Sequence, residues 1–400
     1  MITPNYIEKL LEGGEVEWRA LGEALVRTKG TNITAGQMKE LHKINAKLKI
    51  FAGGKTIAFV DFEDIPEKDI NREPSIIVKS RGVIEFEYYD KPFSHKNEMW
   101  SYHSKNENIN IKFVYYFLKI NELYFQNIGS KMQMPQIATP DTDKFKIPIP
   151  PLKVQEEIVR ILDAFTELTA ELTAELTAEL TARKKQYEYY RDKLLTLDEG
   201  EVEWKTLGDI IIKAYSGATP LANNTEYYNN GSIPWLRTQE VRFVDIYETD
   251  MKITDIALKK TAVKWVPENC VIIAISGATA GRSAINKIPL TTNQHCLCLE
   301  INAKKANYRY VFHWVSSQYE YLKNLGQGAR GDLNAGIIKS FKIPIPPLPE
   351  QERIASILDK FDALTSSITE GLPCEIELRQ KQYEYYRNML LSFPKEEVEK

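Results

Sequence analysis

Few stretches of the sequence have the residue types and spacing that carry catalysis. The segment "AGGKTIAF" at 52–59 ends in Gly54-Lys55-Thr56, as a phosphate-binding loop does. Such a loop needs its first glycine five residues before the second, and that position is Lys49. We therefore interpret this segment as a turn. The segment "SGATAGRS" at 276–283 does not follow the G-x-G-x-x-G pattern of a dinucleotide site either.

Metal and nucleophile patterns are also missing from the sequence. Of the 5 histidines none lies in H-E-x-x-H, and there is no G-x-S-x-G elbow and no Asn/Asp-Pro-Pro-aromatic tetrapeptide of the amino-methyltransferase kind. The 4 cysteines are Cys270, Cys296, Cys298 and Cys374, and a single Cys-x-Cys without a second pair is a poor zinc site. We predict free buried thiols, no catalytic residue and no metal site, which favours a protein of recognition and assembly.

The elements that organise the chain form a tandem repeat. "FKIPIPPLKVQEEIVRILDAF" at 145–165 matches "FKIPIPPLPEQERIASILDKF" at 341–361, and "KQYEYYRDKLL" at 185–195 matches "KQYEYYRNMLL" at 381–391. "GEVEW" occurs twice, ending at Trp18 and Trp204. The N-terminal "NYIEKLLEGGEVEW" also resembles "YYRDKLLTLDEGEVEW" before Trp204, which predicts a circular repeat with the chain ends close together.

The repeated segments predict two long helices. The prolines of "IPIPPL" favour extended backbone and exclude helix before Leu152 and Leu348. After them, apolar residues recur at spacings of three and four, which is the seam of an antiparallel coiled coil. Pro373 is expected to kink or break the second helix. The predicted packing residues are Ile158, Ile161, Phe165, Leu168, Leu172, Leu176 and Leu180 in the first helix, and Ile354, Ile357, Phe361, Leu364 and Ile368 in the second.

The first helix contains the tetrapeptide Thr-Ala-Glu-Leu three times in succession, over 169–180. Four residues rotate a helix by about 400°, so the leucine row drifts around the helix instead of running straight. Glu171, Glu175 and Glu179 form a like-charged row, which indicates a solvated face. We interpret the segment as a helical spacer.

Two variable regions alternate with the repeated segments. They combine strand-like runs, such as "PSIIVKS" and "NCVIIAIS", with aromatic residues at helical spacing, so each is predicted to be mixed α/β. We predict an α+β protein: two mixed α/β domains joined by two long helices that form an antiparallel coiled coil, in a pseudo-two-fold, circular internal repeat. The predicted segments are an N-terminal element (1–18), variable domains (19–144 and 205–340), and helical spacers (145–204 and 341–400).

Composition bounds the function classes. No apolar run approaches the roughly 20 residues that span a bilayer, and the N-terminus lacks a signal-peptide core, so we expect a cytoplasmic protein. The net charge is −3, but each variable region is mildly basic: residues 19–144 hold 19 Lys/Arg against 16 Asp/Glu, and residues 205–340 hold 16 against 11. Basic regions can bind phosphates, although charges this small are weak support alone.

The paired "FKIPIPPL" and "ILD-x-F" blocks, the "TAEL" repeats, the paired "KQYEYYR" and the paired "GEVEW" resemble the specificity (S) subunits of type I restriction–modification systems. "YSGATP" at 215–220 and "GSIPWLR" at 231–237 are similar to domain openings in that family. The resemblance covers essentially the whole chain, and the "TAEL" repeats are typical of the EcoR124-like subgroup.

The resemblance implies a function. Each variable region would be a target recognition domain for one half of a bipartite, asymmetric DNA site, and the helices would set the spacer length. They would also dock two modification subunits, which bind S-adenosylmethionine and methylate adenine. Restriction subunits, which use ATP and Mg, would join for cleavage and defence against foreign DNA. This chain would bind no cofactor and have no catalytic residue.

Residues that read DNA must reach base edges, and arginine, lysine, asparagine and glutamine are suited to this. We favour such residues in segments that appear polar and rich in turns, where glycine allows close approach. In the first region they are Lys79, Arg81, Lys131 and Gln133, and in the second Arg237, Gln239, Arg242, Arg282 and Arg330. The alternative for each is a solvated charge or a structural ion pair.

Three other functions are weighed against this one. A methyltransferase in its own right lacks the cofactor loop and the catalytic tetrapeptide. A structural coiled-coil scaffold does not explain two divergent basic regions between near-identical helices. A sequence-specific DNA-binding protein outside a restriction system stays open at this point.

Overall fold

The computed structural model describes residues 6–129, 134–197, 200, 202–326, 332–366 and 371–394. The chain divides into unit 1, which comprises Met1–Thr173 and Leu378–Lys400, and unit 2, which comprises Ala174–Glu377. Each unit combines strands and helices, as the alternation of period-two and helical patterns predicts.

Unit 1 contains a four-stranded sheet in the order β2-β8-β5-β6, a three-stranded sheet β4-β3-β7 and the pair β1-β9. Its strands are β1 (Glu17–Ala20), β2 (Leu25–Thr28), β3 (Leu48–Phe51), β4 (Ile57–Val60), β5 (Ser75–Lys79), β6 (Glu85–Tyr89), β7 (Phe93–His95), β8 (Trp100–Ser104) and β9 (Lys146–Ile149). Its shorter helices are α1 (Tyr6–Leu11), α2 (Leu21–Ala24), α3 (Ala35–Leu41), α4 (Ile111–Ile120), α5 (Glu122–Gly129) and α6 (Thr139–Asp143). The long helix α7 (Leu152–Leu195) contributes to both units.

Unit 2 contains a five-stranded sheet β11-β19-β16-β17-β13, a four-stranded sheet β14-β12-β18-β15 and the pair β10-β20. Its strands are β10 (Glu203–Thr206), β11 (Ile211–Ser216), β12 (Ile233–Leu236), β13 (Asp245–Ile246), β14 (Lys252–Ile253), β15 (Trp265–Val266), β16 (Val271–Ala274), β17 (Ser283–Asn286), β18 (Leu290–Thr292), β19 (Cys296–Ile301) and β20 (Lys342–Ile345). Its helices are α8 (Leu207–Ile210), α9 (Asp255–Lys260), α10 (Tyr308–Ser317), α11 (Tyr319–Asn324), α12 (Ala335–Ser340) and α13 (Leu348–Ser366). Helix α14 (Gly371–Leu390) begins in unit 2 and ends in unit 1.

The repeated motifs "GEVEW" and "FKIPIPPL" pair with each other in each unit. Strand β1 is antiparallel to β9 with Trp18 opposite Pro148, and β10 is antiparallel to β20 with Trp204 opposite Pro344. Proline lacks an N–H, so it suits a two-stranded ribbon of this kind, where one side of each strand needs no partner. Both tryptophans pack against aromatic residues.

The aromatic helices of the variable regions form core. In unit 1, α4 buries Phe113, Tyr116 and Phe117 against the strands, and in unit 2, α10 buries Tyr310 and Trp314. These side chains alternate at helical spacing because one face of each helix covers a sheet. The aromatic rings therefore stabilise the domains by burial and are not surface stacking platforms.

The long helices begin directly after the prolines, as predicted. Helix α7 is unbroken for 44 residues, including the "TAEL" repeats. At about 1.5 Å per residue it extends about 66 Å. In the second copy, α13 ends at Ser366 and α14 begins at Gly371, which has a φ of +81°. Pro373 then lies in the first turn of α14, where its missing N–H has no helical partner to lose.

Within each unit the long helices pair in antiparallel register. In unit 1, Phe165 near the start of α7 contacts Tyr386 near the end of α14, with ring centroids 5.7 Å apart. In unit 2, Tyr190 near the end of α7 stacks on Phe361 of α13 at 5.7 Å. Equivalent residues of the repeat thus make the same contact in both units, which is the arrangement that the antiparallel seam predicts.

Not all of the predicted packing residues are buried. Ile158 and Ile354 are fully buried, and Ile161 is nearly so, but these residues join the cores of the variable regions as well as the seam. Ile357, Phe361 and Leu364 are half-buried, as are Leu172, Leu176 and Leu180. Leu168 is 52% exposed, so its assignment to the packed seam is wrong. Leu168 follows Phe165 by three residues, about 60° short of a full turn, so it lies to one side of the apolar row. Ile368 lies outside the described residues.

The chain ends are close together in unit 1, as the circular repeat predicts. The indole N–H of Trp18 donates to the carbonyl of Pro394 at 3.0 Å. Helix α1 contributes Ile7 to the same core as Leu391 and Phe393. Among the described residues, no helix is both long enough and apolar enough to cross a membrane.

A buried histidine makes the stability of unit 1 depend on pH. His95 in β7 is fully buried, and burial lowers its pKa to about 4. Because an unfolded histidine titrates near about 6.5, the stabilisation is complete above that pH and is lost as pH falls toward about 4. We expect a loss of about 3 kcal/mol over this range.

The measurement is the free energy of unfolding of the full chain against pH, by denaturant titration. The His95→Gln variant should flatten the profile between pH 7 and pH 4, whereas His42→Gln, at an exposed position, should not. Equal slopes in the wild type and in His95→Gln would contradict the prediction.

Candidate nucleic-acid interface

Three of the predicted DNA-reading residues lie in one turn of unit 2. The buried strand β12 ends at Leu236, and a 3-10 turn over Thr238–Glu240 follows it. This places Arg237, Gln239 and Arg242 on consecutive bends of a polar segment, and Gln239 and Arg242 are exposed. The Arg242 Nε–H donates to the Gln239 carbonyl at 2.6 Å, which orders the turn. The other guanidinium N–H groups of Arg242 are left available to a further acceptor.

The Arg237 guanidinium lies close to two carboxylates but forms no hydrogen bond with either. Its guanidinium lies 3.9 Å from Glu240 and 3.9 Å from Asp250, beyond hydrogen-bond distance. The Glu240 carboxylate instead accepts the backbone N–H groups of Arg237 at 3.1 Å and Asp250 at 2.8 Å. The Arg237 Nε is buried and has no hydrogen-bond partner among the described residues. An arginine in this state retains donors for a further acceptor.

The structure places Arg242 and Arg282 at the same end of two neighbouring strands, β13 and β17. Strand β13 is parallel to β17, and just before this pair the N–H of Phe243 donates to the carbonyl of Ser283 at 2.8 Å. Arg242 and Arg282 each precede one of these bonded residues. Arg282 is half-buried and follows Gly281, which has a φ of +86°. Arg330 lies outside the described residues.

In unit 1 the predicted residues divide. Arg81 is exposed and forms an isolated bridge with Gln136. Lys79 does not lie in a turn, which corrects its predicted setting: it ends β5, is 7% exposed, and its Nζ lies 2.6 Å from Glu85 and 2.8 Å from Glu87. Lys131 and Gln133 lie outside the described residues.

The ion pairs determine the state of Lys79. Burial alone would lower its pKa, but the hydrogen bonds that Lys79 donates to Glu85 and Glu87 outweigh burial and raise the pKa. Lys79 is thus a charged residue neutralised inside the hairpin β5–β6. This is the structural ion pair that was the alternative to DNA contact, and it leaves Arg81 as the exposed cation of this segment.

The sequence patterns did not single out the exposed tyrosines of the long helices. Tyr189 on α7 is 60% exposed, and its repeat equivalent Tyr385 on α14 is 62% exposed. The next tyrosine in each "YEYY" motif, Tyr190 or Tyr386, faces the paired helix instead. Exposed tyrosines at matched positions are suited to a protein interface, because tyrosine is enriched at interfaces. The paired "KQYEYYR" motif was the signal that could have identified them.

The Glu171, Glu175 and Glu179 row of α7 is exposed, as predicted. This surface repels phosphates, so it does not suit contact with the DNA backbone. Cys270, Cys296 and Cys298 are free and buried, as predicted, whereas Cys374 is free but only half-buried.

Comparison with known proteins identifies the family. A family model described as the type I restriction modification DNA specificity domain matches residues 32–182 and 199–378. The EcoR124I/EcoR124II type I restriction enzyme specificity subunit of Escherichia coli is 39% identical over 413 residues, covering 100% of this chain and 99% of that protein. A putative type I restriction enzyme specificity subunit of Haemophilus influenzae is 33% identical, covering 97% of this chain and 98% of that protein.

Solved structures share the fold. The S subunit of a type I restriction-modification system from M. genitalium matches with a TM-score of 0.55 at 16% identity, covering 96% of this chain and 97% of that chain. A chain from a structure of complex assembly and conformational transition in the type I R-M system matches with a TM-score of 0.62 at 14% identity, covering 94% and 96%. With the family model on both halves and a relative aligned over its full length, this chain belongs to the family of type I restriction–modification specificity subunits.

Proposed function

We propose that this chain gives a type I restriction–modification enzyme its DNA sequence specificity by reading a bipartite, asymmetric site. The observation that carries the proposal is the duplication: two recognition regions (19–144 and 205–340) of different sequence occupy equivalent places between near-identical helices. Different regions read different half-sites. Near-identical helices can bind two copies of the same partner.

The partners are double-stranded DNA, two modification subunits and restriction subunits. The exposed Tyr189 and Tyr385 are the proposed docking positions for the modification subunits, one on each long helix. S-adenosylmethionine belongs on those subunits, and ATP and Mg belong on the restriction subunits. This chain supplies recognition and no catalytic residue. We place the enzyme in the cytoplasm, where it meets the DNA of the cell and of invaders.

In the second region, Arg237, Gln239, Arg242 and Arg282 are the proposed DNA-contacting residues. Two observations support this set. The Arg237 Nε has no hydrogen-bond partner among the described residues, and Arg242 and Arg282 lie at the same end of the neighbouring strands β13 and β17. In the first region the proposal rests on Arg81, while Lys131, Gln133 and Arg330 remain predictions from sequence. Lys79 is withdrawn from the proposed set because its charge is neutralised by Glu85 and Glu87.

The test is equilibrium binding of the chain, assembled with its two modification subunits, to labelled duplexes at physiological salt. A duplex that carries the split site is expected to bind about a thousandfold or more tighter than a duplex with both halves scrambled. Equal binding to all duplexes would contradict the proposal and favour a structural scaffold.

The Arg237→Ala variant tests the assignment within the second region. We expect a loss of about 1–3 kcal/mol of discrimination at the half-site that this region reads. Discrimination at the other half-site should not change. Lys264→Ala is the control, since this lysine is also exposed in unit 2 but lies before β15, outside the proposed set. A uniform loss on all duplexes would assign Arg237 to a phosphate instead.

A further inference from the structure

A buried glutamine joins each recognition region to a long helix. In unit 2, Gln351 on the first turn of α13 is fully buried. Its Oε1 accepts the backbone N–H of Asn307 at 2.8 Å, and its Nε2 donates to the carbonyl of Pro346 at 2.7 Å. Asn307 is the residue that caps α10. Gln155 makes the equivalent pair of bonds in unit 1, so the glutamine of the repeated motif links the recognition helix to the start of the long helix.

An arginine joins the same two helices about two turns further along α13, at Asp359. Arg309 of α10 donates to Asp359 Oδ1 on α13 from Nε at 2.8 Å and from Nη2 at 2.5 Å. Its Nη1 donates to Asp245 of β13 at 2.5 Å. The Arg309 side chain is 14% exposed. One guanidinium therefore connects the sheet of the recognition region, its core helix and the long helix.

The surroundings keep this pair charged. Burial would raise the pKa of Asp359, but hydrogen bonds from His313 and Arg309 outweigh it and lower the pKa. The His313 Nε2 lies 2.6 Å from Asp359 Oδ1, and this histidine is fully buried. Burial likewise opposes the charge of Arg309, but its carboxylate partners raise its pKa. The Arg309 side chain is 14% and the Asp359 side chain 35% exposed, so displacing either one breaks hydrogen bonds that compensate the partner's lost hydration.

Unit 1 reaches the same arrangement with different residues. Lys112 Nζ lies 2.7 Å from Asp163 Oδ2, and the Tyr116 hydroxyl donates to Asp163 Oδ1 at 2.6 Å. Lys112 and Tyr116 occupy on α4 the positions of Arg309 and His313 on α10. The acceptor in both units is the aspartate of the "ILD-x-F" motif. The contact is thus a repeated feature of the architecture and not a chance surface pair.

A helix can set the distance between two half-sites only if each recognition region is held rigidly on it. We infer that Arg309, Asp359 and Gln351 are positioning residues that restrict the enzyme to one DNA spacer length. This inference rests on the proposed function. It assigns to these residues no contact with DNA and no part in the choice of bases. Loosening the joint should therefore broaden the accepted spacers and leave the half-site sequences unchanged.

The experiment uses the full chain assembled with its two modification subunits, and a DNA library in which both half-sites are fixed and only the spacer length varies. Adenine methylation of each library member is measured by long-read sequencing. For Arg309→Ala and for Asp359→Asn, we expect methylation of sites with a spacer one base pair too long or too short to rise about tenfold relative to the preferred site, since hydrogen bonds to charged groups contribute about this factor or more. The conservative Arg309→Lys variant should restore part of the discrimination, because it keeps the charge but not the forked geometry.

The control is Arg353→Ala. Arg353 forms an ion pair with Glu350 on the same helix at 2.6 Å, but its side chain is 53% exposed and this pair lies within α13. The Arg353→Ala variant should methylate the same DNA spacer lengths, in the same proportions, as the wild type. A parallel library with a fixed spacer and single-base changes should give the same half-site preferences for all variants.

The outcomes separate the two levels of the account. If the wild type methylates one spacer length and Arg309→Ala keeps the same profile, the inference is wrong and the proposed function stands. Loss of all methylation in both Arg309→Ala and Arg309→Lys would also overturn the inference, since it assigns spacing and not activity to the joint. If the wild type shows no split-site methylation, the proposed function fails and the inference fails with it.

Discussion

Deletion of Thr177–Leu180 is expected to shorten the preferred DNA spacer by about one base pair while both half-sites stay the same. Four helical residues advance about 6 Å and rotate about 400°, which is about 40° beyond a full turn. One step of B-DNA advances about 3.4 Å and rotates about 35°. One "TAEL" unit therefore matches one base-pair step in rotation and exceeds it in translation.

The structure supports this expectation at the helix itself. Helix α7 runs without a break through all three units of the repeat, so a deletion is transmitted along it as a fixed rotation and translation. The contacts that fix its two ends, Phe165 with Tyr386 and Tyr190 with Phe361, lie outside the deleted residues. The deletion should thus change the length of the spacer without removing either anchoring contact.

The measurement is methylation of the same spacer-length library. The matched control is Glu179→Gln, which alters the repeat and removes an exposed ion pair with Arg183 but keeps the length. It should leave the preferred spacer unchanged. A deletion that altered a half-site and kept the spacer would refute the assignment of the repeat as a ruler.

Gly217→Ala is expected to destabilise unit 2 by about 3 kcal/mol, the upper part of the range for forced overpacking. A Cβ at position 217 would lie 1.8 Å from the carbonyl oxygen and 2.6 Å from the carbonyl carbon of Thr292. These are backbone atoms that cannot rotate away. The same carbonyl accepts the N–H of Ala218 at 3.1 Å, which holds the two segments together. Thr292 is fully buried at the end of β18, so the strand has no free space to move into.

The free energy of unfolding by denaturant titration checks this prediction, and binding to the split site checks its consequence. Gly36→Ala is the control, because the nearest atom to its added Cβ is at 3.8 Å, an ordinary contact. Wild-type stability in Gly217→Ala would show that the backbone at Thr292 yields, contrary to the packing described.

Local patterns in the sequence were enough to predict the elements. The prolines at 148–151 and 344–347 mark where strand gives way to helix, because their geometry excludes helix before them. The three-four spacing of apolar residues predicts the long helices, and Pro373 predicts the interruption. The circular match between the N-terminus and the segment before Trp204 predicts that the two ends of the chain lie close together, and Trp18 donates a hydrogen bond to Pro394.

Contacts between different elements were beyond such patterns. The sequence predicts Lys79 as a cation in a turn. The structure instead pairs it with Glu85 and Glu87 on the neighbouring strand. Gln351 is visible as a repeated residue, but its partner Asn307 lies 44 positions away. Leu168 fits the seam by spacing, but it lies to one side of the apolar row and is 52% exposed in the folded chain. In each case the deciding interaction is tertiary, and local periodicity carries no information about it.

Methylome sequencing of cells with and without this chain tests the central claim most directly. The account predicts one asymmetric motif, split by a spacer of fixed length, with adenine methylated on both strands, and it predicts that this motif loses its methylation when the chain is deleted. A continuous palindromic motif, or a methylation pattern unchanged by the deletion, would contradict the account.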